Sequence, residues 1–203
     1  VEGVVAVQTA IERVGRSLTS VSARVVQGDR LIALGVAALS RSRPGPEFCD
    51  LDMPIVPAPE SIAPRPAPPE APPIARRWDM RWAIGAHPFE DGPRTHEAVA
   101  GGWIRLEEPQ AFDAPALAAV TDAWIPPVFS RTDQLMAVPT IDLTVHFRAA
   151  VPHPAVAADG FLLAVFRTRV AADGFLEEDG EVWAPDGTLL AQCRQLAAMV
   201  PLG

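Results

Sequence analysis

The chain has 203 residues, 49% of them hydrophobic and 21% charged, and a formal net charge of −8. That is enough apolar material for one good core or two small ones, while the acidic balance excludes nonspecific attraction to nucleic acid or anionic lipid, both of which need a basic field. Two distant cysteines, Cys49 and Cys193, without CxxC or Cys/His spacing, give neither a disulfide framework nor a zinc site.

In chain order, Val4 to Val14 and Leu18 to Val26 read as strands, and "QGD" turns the chain into a third strand, Arg30 to Leu39. The chain opens on Val rather than Met and is strand-like from its first residues, so further sequence upstream is expected. From Pro44 to Pro73 about a third of the residues are proline. Proline lacks a backbone donor and favours extended geometry, so residues 44–77 are predicted to be a linker between residues 1–43 and residues 78–203. Strands follow at Trp78 to Ile84 and Val99 to Glu107. "DAPALAAVTDAW" then signals a helix, with Asp113 as N-cap, Pro115 in the first turn, and Pro126 and Pro127 preventing continuation. Further strands are predicted at Pro139 to Arg148, Phe161 to Val170, Glu181 to Ala184 and Thr188 to Met199. One helix among many strands makes the class α+β. No stretch reaches the roughly 18 apolar residues of a membrane-spanning helix, and nothing resembles a signal peptide; with two unpaired cysteines this predicts a cytoplasmic protein.

"TIDLTVHF" alternates, placing Ile141, Leu143, Val145 and Phe147 on one face and Thr140, Asp142, Thr144 and His146 on the other. The last strand puts Leu189, Ala191, Cys193, Gln195, Ala197 and Met199 on one face, and Gln195 is the odd member. "QGDRLIALGVAAL" aligns without a gap with "PDGTLLAQCRQLAAM" at an offset of 158, pairing Leu31 with Leu189 and Ala33 with Ala191. The shared plan of strand, Gly/Asp turn and strand supports an internal duplication. Gln195 then falls where the first copy has Ala37. A buried amide without partners costs about 1–3 kcal/mol, so its place on such a face asks for a reason.

The chain has no GxSxG elbow, no GxxxxGK phosphate cradle, no GxGxxG and no HExxH. His87, His96, His146 and His153 are scattered without metal-ligand spacing. Surface or ordinary structural roles are expected for them, and only His146, on a polar strand face, stays a candidate. Asp122 lies off the helical stripe of Leu117, Val120 and Trp124, so spacing alone predicts that it faces solvent.

The order of "GRSLTSVSARVVQGDRLIALGVAAL", a proline-rich connector, "GGWIRLEE", "TDAWIPPVFSR", "PTIDLTVHFRA" and "DGEVWAPDGTLLAQCRQLAAM" resembles the type II acyl-CoA thioesterase family over nearly the whole chain. The resemblance implies a double hotdog, two repeats of a curved antiparallel sheet wrapping a helix, with the first repeat here lacking the strand and helix that precede "GRS" in the family. It also implies three site residues: Asp122, at the family's helix aspartate in "AVTDAW"; Thr140, at its Thr or Ser before Ile-Asp; and Gln195, at its glutamine after the DG turn. The implied reaction is hydrolysis of acyl-CoA to free acid and CoA by a water that the three residues orient. Thiolate is already a good leaving group, so no metal or other cofactor is expected. An acyl channel between repeats and arginines for the nucleotide phosphates are implied as well, with Arg131 and Arg148 the candidates. Self-association into a homo-oligomer is expected from the family and from unpaired strand edges. A hotdog acyl-binding or scaffold protein without turnover is the alternative; a hotdog dehydratase would call for a catalytic histidine in a motif that the chain lacks.

Overall fold

The computed structural model describes residues 3–202 apart from 68, 70, 89 and 91, so the opening two residues and the predicted linker's Pro68 and Glu70 lie outside the described residues. The chain forms two compact units, residues 1–50 and 51–203.

The first unit is an antiparallel sheet of β1 (Ala6–Val14), β2 (Thr19–Gln27) and β3 (Arg30–Leu39), in that order. Its predicted strands are matched to within two residues at each end. Val7, Ile11, Leu34 and Val36 remain exposed.

The second unit contains β4 (Trp78–Ile84), β5 (Ala98–Leu106), α1 (Ala114–Val120), β6 (Met136–Ala137), β7 (Thr140–Phe147), β8 (Leu162–Thr168), β9 (Ala171–Ala172), β10 (Phe175–Trp183), β11 (Leu189–Ala198) and β12 (Val200–Pro201). Its main sheet is antiparallel throughout, in the order β4-β5-β8-β10-β11-β7, with β9 beside β10 and a separate β6–β12 pair. One face packs Ala100, Ile104, Leu162, Ala164, Phe166, Val182, Ala191 and Cys193 against Ala116, Leu117 and Val120 of α1. A curved antiparallel sheet against one helix is a hotdog, and the class is α+β. Gly180 lets this face close. A Cβ there would lie 2.7 Å from the Phe166 ring and closer still to Cys193 Sγ. Gly180→Ala should therefore cost about 1–3 kcal/mol, read as a lower urea midpoint with unchanged m-value; an unchanged midpoint would show that the Phe166 ring moves freely.

The opposite face buries Trp103, Leu163, Val165 and Trp183, and its cover is the proline-rich stretch: Met53, Val56 and Ile62 pack on it. Trp103 Nε1 donates to Pro57 O at 2.8 Å, and Arg81 Nη1 donates to Ile62 O at 2.8 Å. The sequence boundary at residue 78 and the structural one at residue 51 differ for a physical reason. A polyproline-like segment cannot join a sheet, but it can lie across one, offering carbonyls to side-chain donors and a few apolar side chains to the surface beneath.

The two aligned hairpins share a backbone detail. In β2–β3 the register shifts so that Ile32 is the extra residue, since Val25 faces Ala33 and Val26 faces Leu31. In β10–β11 Leu190 is the extra residue, since Val182 faces Ala191 and Trp183 faces Leu189. Ile32 and Leu190 correspond at the offset of 158 read from the sequence. Among the described residues no helix is long and apolar enough to cross a membrane.

Candidate functional site

The predicted helix is short. Asp113 caps it, accepting from Ala116 N at 2.9 Å, with Pro115 in the first turn. The α-helix ends at Val120, and Thr121 is its C-cap. The next amides bond three residues back, Asp122 N to Ala119 O at 3.2 Å and Ala123 N to Val120 O at 3.3 Å. Asp122 thus rides on a tightened turn just beyond the helix expected to carry it. Thr121 is fully buried, its Oγ1 donates to Ala118 O at 2.7 Å, and its carbonyl accepts from Cys193 Sγ of β11 at 3.6 Å. The turn is therefore fastened to the sheet next to Gln195.

Thr140 reaches the same place through an irregularity. Gln195 faces Leu143 and Leu196 faces Asp142, but Ala197 faces Thr140, so Ile141 is an extra residue. A bulge reverses the facing of everything beyond it. Thr140 is turned onto the face that carries Cys193 and Gln195, rather than the polar face that strict alternation predicts, and Ile141 is left 54% exposed.

The three residues meet. Thr140 Oγ1 lies 3.3 Å from Asp122 Oδ1 and 3.0 Å from Gln195 Oε1. Gln195 is buried and Asp122 and Thr140 are exposed, so the set spans from the sheet interior to solvent. Burial of part of the Asp122 carboxyl raises its pKa, and the Thr140 hydrogen bond opposes that rise. The balance favours a carboxylate that binds a proton more readily than a free aspartate does.

A fourth member was not found by sequence reasoning. Gln195 Nε2 donates to Glu178 Oε1 at 2.8 Å, across a β10–β11 pair in which the two residues face each other. Glu178 is only 4% exposed. Burial pushes its carboxyl up to about 8; the Gln195 bond opposes this, and the charges of Asp122 and Glu177 add to it. The signal lay in "FLEEDGEVW": Leu176, Glu178, Gly180 and Val182 alternate inward, all buried. Cys193, on the same face, has its thiol pushed up to about 12 by burial and by Glu178 and Asp122, and it stays neutral.

Arg131 and Arg148 are exposed, and among the described residues neither guanidinium has an ion-pair partner. His146 is exposed on β7. Among the described residues no group of three or more His, Cys, Asp or Glu is arranged to hold a metal ion.

Residues 59–199 match the family described as the acyl-CoA thioesterase C-terminal domain. No curated protein matches the sequence. A protein of unknown function with a hot dog fold from Alicyclobacillus acidocaldarius is 27% identical with a TM-score of 0.84, over 97% of this chain and 73% of that one. A candidate thioesterase II from Thermobifida fusca YX is 26% identical with a TM-score of 0.79, over 96% and 72% of the two chains. The acyl-CoA thioesterase II TesB2 of Mycobacterium marinum shares the fold at 18% identity and a TM-score of 0.69, over 97% of this chain and 74% of that one.

Proposed function

The chain belongs to the acyl-CoA thioesterase family by its C-terminal domain, and from that premise we propose that it hydrolyses acyl-CoA to a free carboxylic acid and CoA. The observation that carries this reading is the contact of Asp122, Thr140 and Gln195 at the mouth of the sheet. In the proposed reaction a water sits against the Asp122 carboxylate, with the Thr140 hydroxyl and the Gln195 amide fixing its angle. Asp122 takes a proton as the water oxygen bonds to the thioester carbon, and the C–S bond then breaks to release the CoA thiolate. A base positioned in this way contributes about 10²–10⁴-fold, and holding the water in line adds to it. The raised proton affinity of Asp122 suits that task. Arg131 and Arg148 are the proposed holders of the nucleotide phosphates, as free surface cations.

The test is thiol release from acyl-CoAs of increasing chain length, beside Gln195→Ala. Turnover on one range of chain lengths, reduced at least about 10²-fold in the variant, supports the reading and names the substrates. Acyl-CoA binding with no turnover on any chain length points instead to the non-catalytic acyl-binding alternative.

A further inference from the structure

Glu178 has no place in the proposed reaction, yet it is the most deeply buried member of the hydrogen-bonded set. Its Oε1 is bonded to Gln195, and its Oε2 has no hydrogen-bond partner among the described residues. A carboxyl in that position is retained at a cost, since an unpaired buried oxygen is expensive.

Glu178 meets Gln195 through Oε1. The contacts Glu178–Gln195–Thr140–Asp122 therefore run one way when Oε1 accepts and the other way when Oε1 carries the proton, where it has a partner and Oε2 would have none among the described residues. The Thr140 hydroxyl has one proton and two acceptors within 3.3 Å and must follow. If Glu178 accepts from Gln195 Nε2, the amide turns its oxygen to Thr140. The hydroxyl proton then goes to Gln195, and Asp122 loses its donor. If Glu178 donates, the amide turns over about its terminal bond with no change of shape. Its nitrogen donates to Thr140, and Thr140 donates to Asp122, fixing one carboxylate oxygen and leaving the other for water.

We propose that Glu178 is a positioning residue for this site: by donating to or accepting from the Gln195 amide, it decides whether the Thr140 hydroxyl is turned to Asp122. The inference rests on the thioesterase reading only for its effect on turnover; the direction of the chain is a property of the fold. The surroundings favour the donating form. On β11 the neighbours on that face are Gln195 and the neutral Cys193 thiol, and on the helix turn Asp122 opposes a second negative charge. On β8 the residue one step beyond the Arg167–Asp179 pair in the same register is Thr168, uncharged and buried. Glu177, next along β10, also opposes ionisation, while its own bridge to Arg194 lies at 3.6 Å. Arg167, Arg169 and Arg194 pair with Glu181, Asp179 and Glu177, whose side chains alternate with Glu178 along the strand and so occupy the other face. With burial pushing its carboxyl up to about 8, Glu178 carries its proton at neutral pH and loses it in the mildly alkaline range.

The deciding experiment compares wild type, Glu178→Gln and Glu178→Leu across pH 6 to about 9.5, above the Glu178 midpoint. Infrared difference spectra of wild type against Glu178→Gln read the protonated carboxyl directly. We expect its band at pH 6, lost with a midpoint near 8. Wild-type kcat should fall about tenfold with the same midpoint while KM holds, the size of one hydrogen bond to a charged group. Glu178→Gln, which can still donate and does not titrate, should lose that alkaline limb and keep much of the activity. Glu178→Leu should be low at every pH. An alkaline fall that survives in Glu178→Gln, or full activity in Glu178→Leu, overturns the proposal. Should no thioester be hydrolysed, the thioesterase reading falls alone. The chain is then decided by the carbon-13 shift of the Asp122 carboxyl: it must move as Glu178 loses its proton in wild type and not in Glu178→Gln, and its failure to do so refutes the proposal.

Discussion

Asp122→Ala should lower kcat for acyl-CoA hydrolysis by about 10²–10⁴-fold, the usual worth of a positioned base, with acyl-CoA binding largely retained. The expectation rests on position. Asp122 is the one carboxylate of the set that meets solvent, where a water can reach it, and it accepts nothing but the Thr140 hydroxyl among the hydrogen bonds of the described residues. An exposed side chain with so few contacts has little structural work, so stability should change by no more than about 0.5 kcal/mol. Loss of turnover in a variant with a wild-type unfolding curve therefore separates chemistry from folding. Asp122→Asn is the companion: it keeps the shape and the Thr140 contact but cannot take a proton, and it should be as slow as alanine. Turnover within about threefold of wild type in both would move the base elsewhere in the set.

The second large effect concerns stability against pH. Glu178 has its folded pKa raised from the ordinary 4.5 to about 8. Below 4.5 the carboxyl is protonated in both the folded and unfolded chain and adds no pH dependence. Between 4.5 and 8 the unfolded chain gives up the proton and the folded chain keeps it, so folding takes up a proton and stability falls as pH rises. Above 8 both forms are ionised and the loss levels off. The whole effect is on the order of 5 kcal/mol. Other groups act in nearby windows. His87, whose pKa burial lowers, adds stability as pH rises toward its ordinary 6.5 and levels off above it, and Asp79, whose burial raises its pKa but is outweighed by Arg81 and Arg105, adds stability as pH rises in the acid range. The difference between wild type and Glu178→Gln isolates the buried carboxyl. Urea unfolding at pH 5 and 8.5 should show the variant gaining on wild type by several kcal/mol across the interval. A constant gap would mean that Glu178 is solvated.

The sequence carried most of the second unit's strands because they alternate or run apolar between clear turns, and it carried the helix because Asp113 and the two prolines punctuate it. The front half of β10 was not legible. "FLEEDG" has three acidic residues and a glycine, and locally it reads as loop. It is a strand because β8 and β11 pair with it on both sides, and because Arg167, Arg169 and Arg194 neutralise the carboxylates of its outer face. Losing that half of the strand hid Glu178. The gapless repeat hid it as well: one more residue in the second hairpin turn shifts the register, so the pair that matches Glu178–Gln195 in the first repeat is Val21–Ala37. The polar site replaces an apolar pair in only one copy. Gln195 was visible because it breaks its own strand's pattern. Thr140 and Asp122 were not visible from periodicity, since a bulge turns one inward and a tightened turn carries the other; resemblance alone pointed to them.

The proline-rich cover on the back of the sheet has a consequence in time. Met53, Val56 and Ile62 are synthesised long before Leu163, Val165 and Trp183, the residues on which they rest. At about 5–20 residues per second, the cover waits on the order of ten seconds for its surface to be made. A strand of the same composition without proline would spend that interval exposing donors and acceptors to any neighbouring chain. Pro54, Pro57, Pro59 and Pro64 interrupt the amides every few residues, so the segment cannot form a continuous ladder and reaches its sheet late and still unengaged.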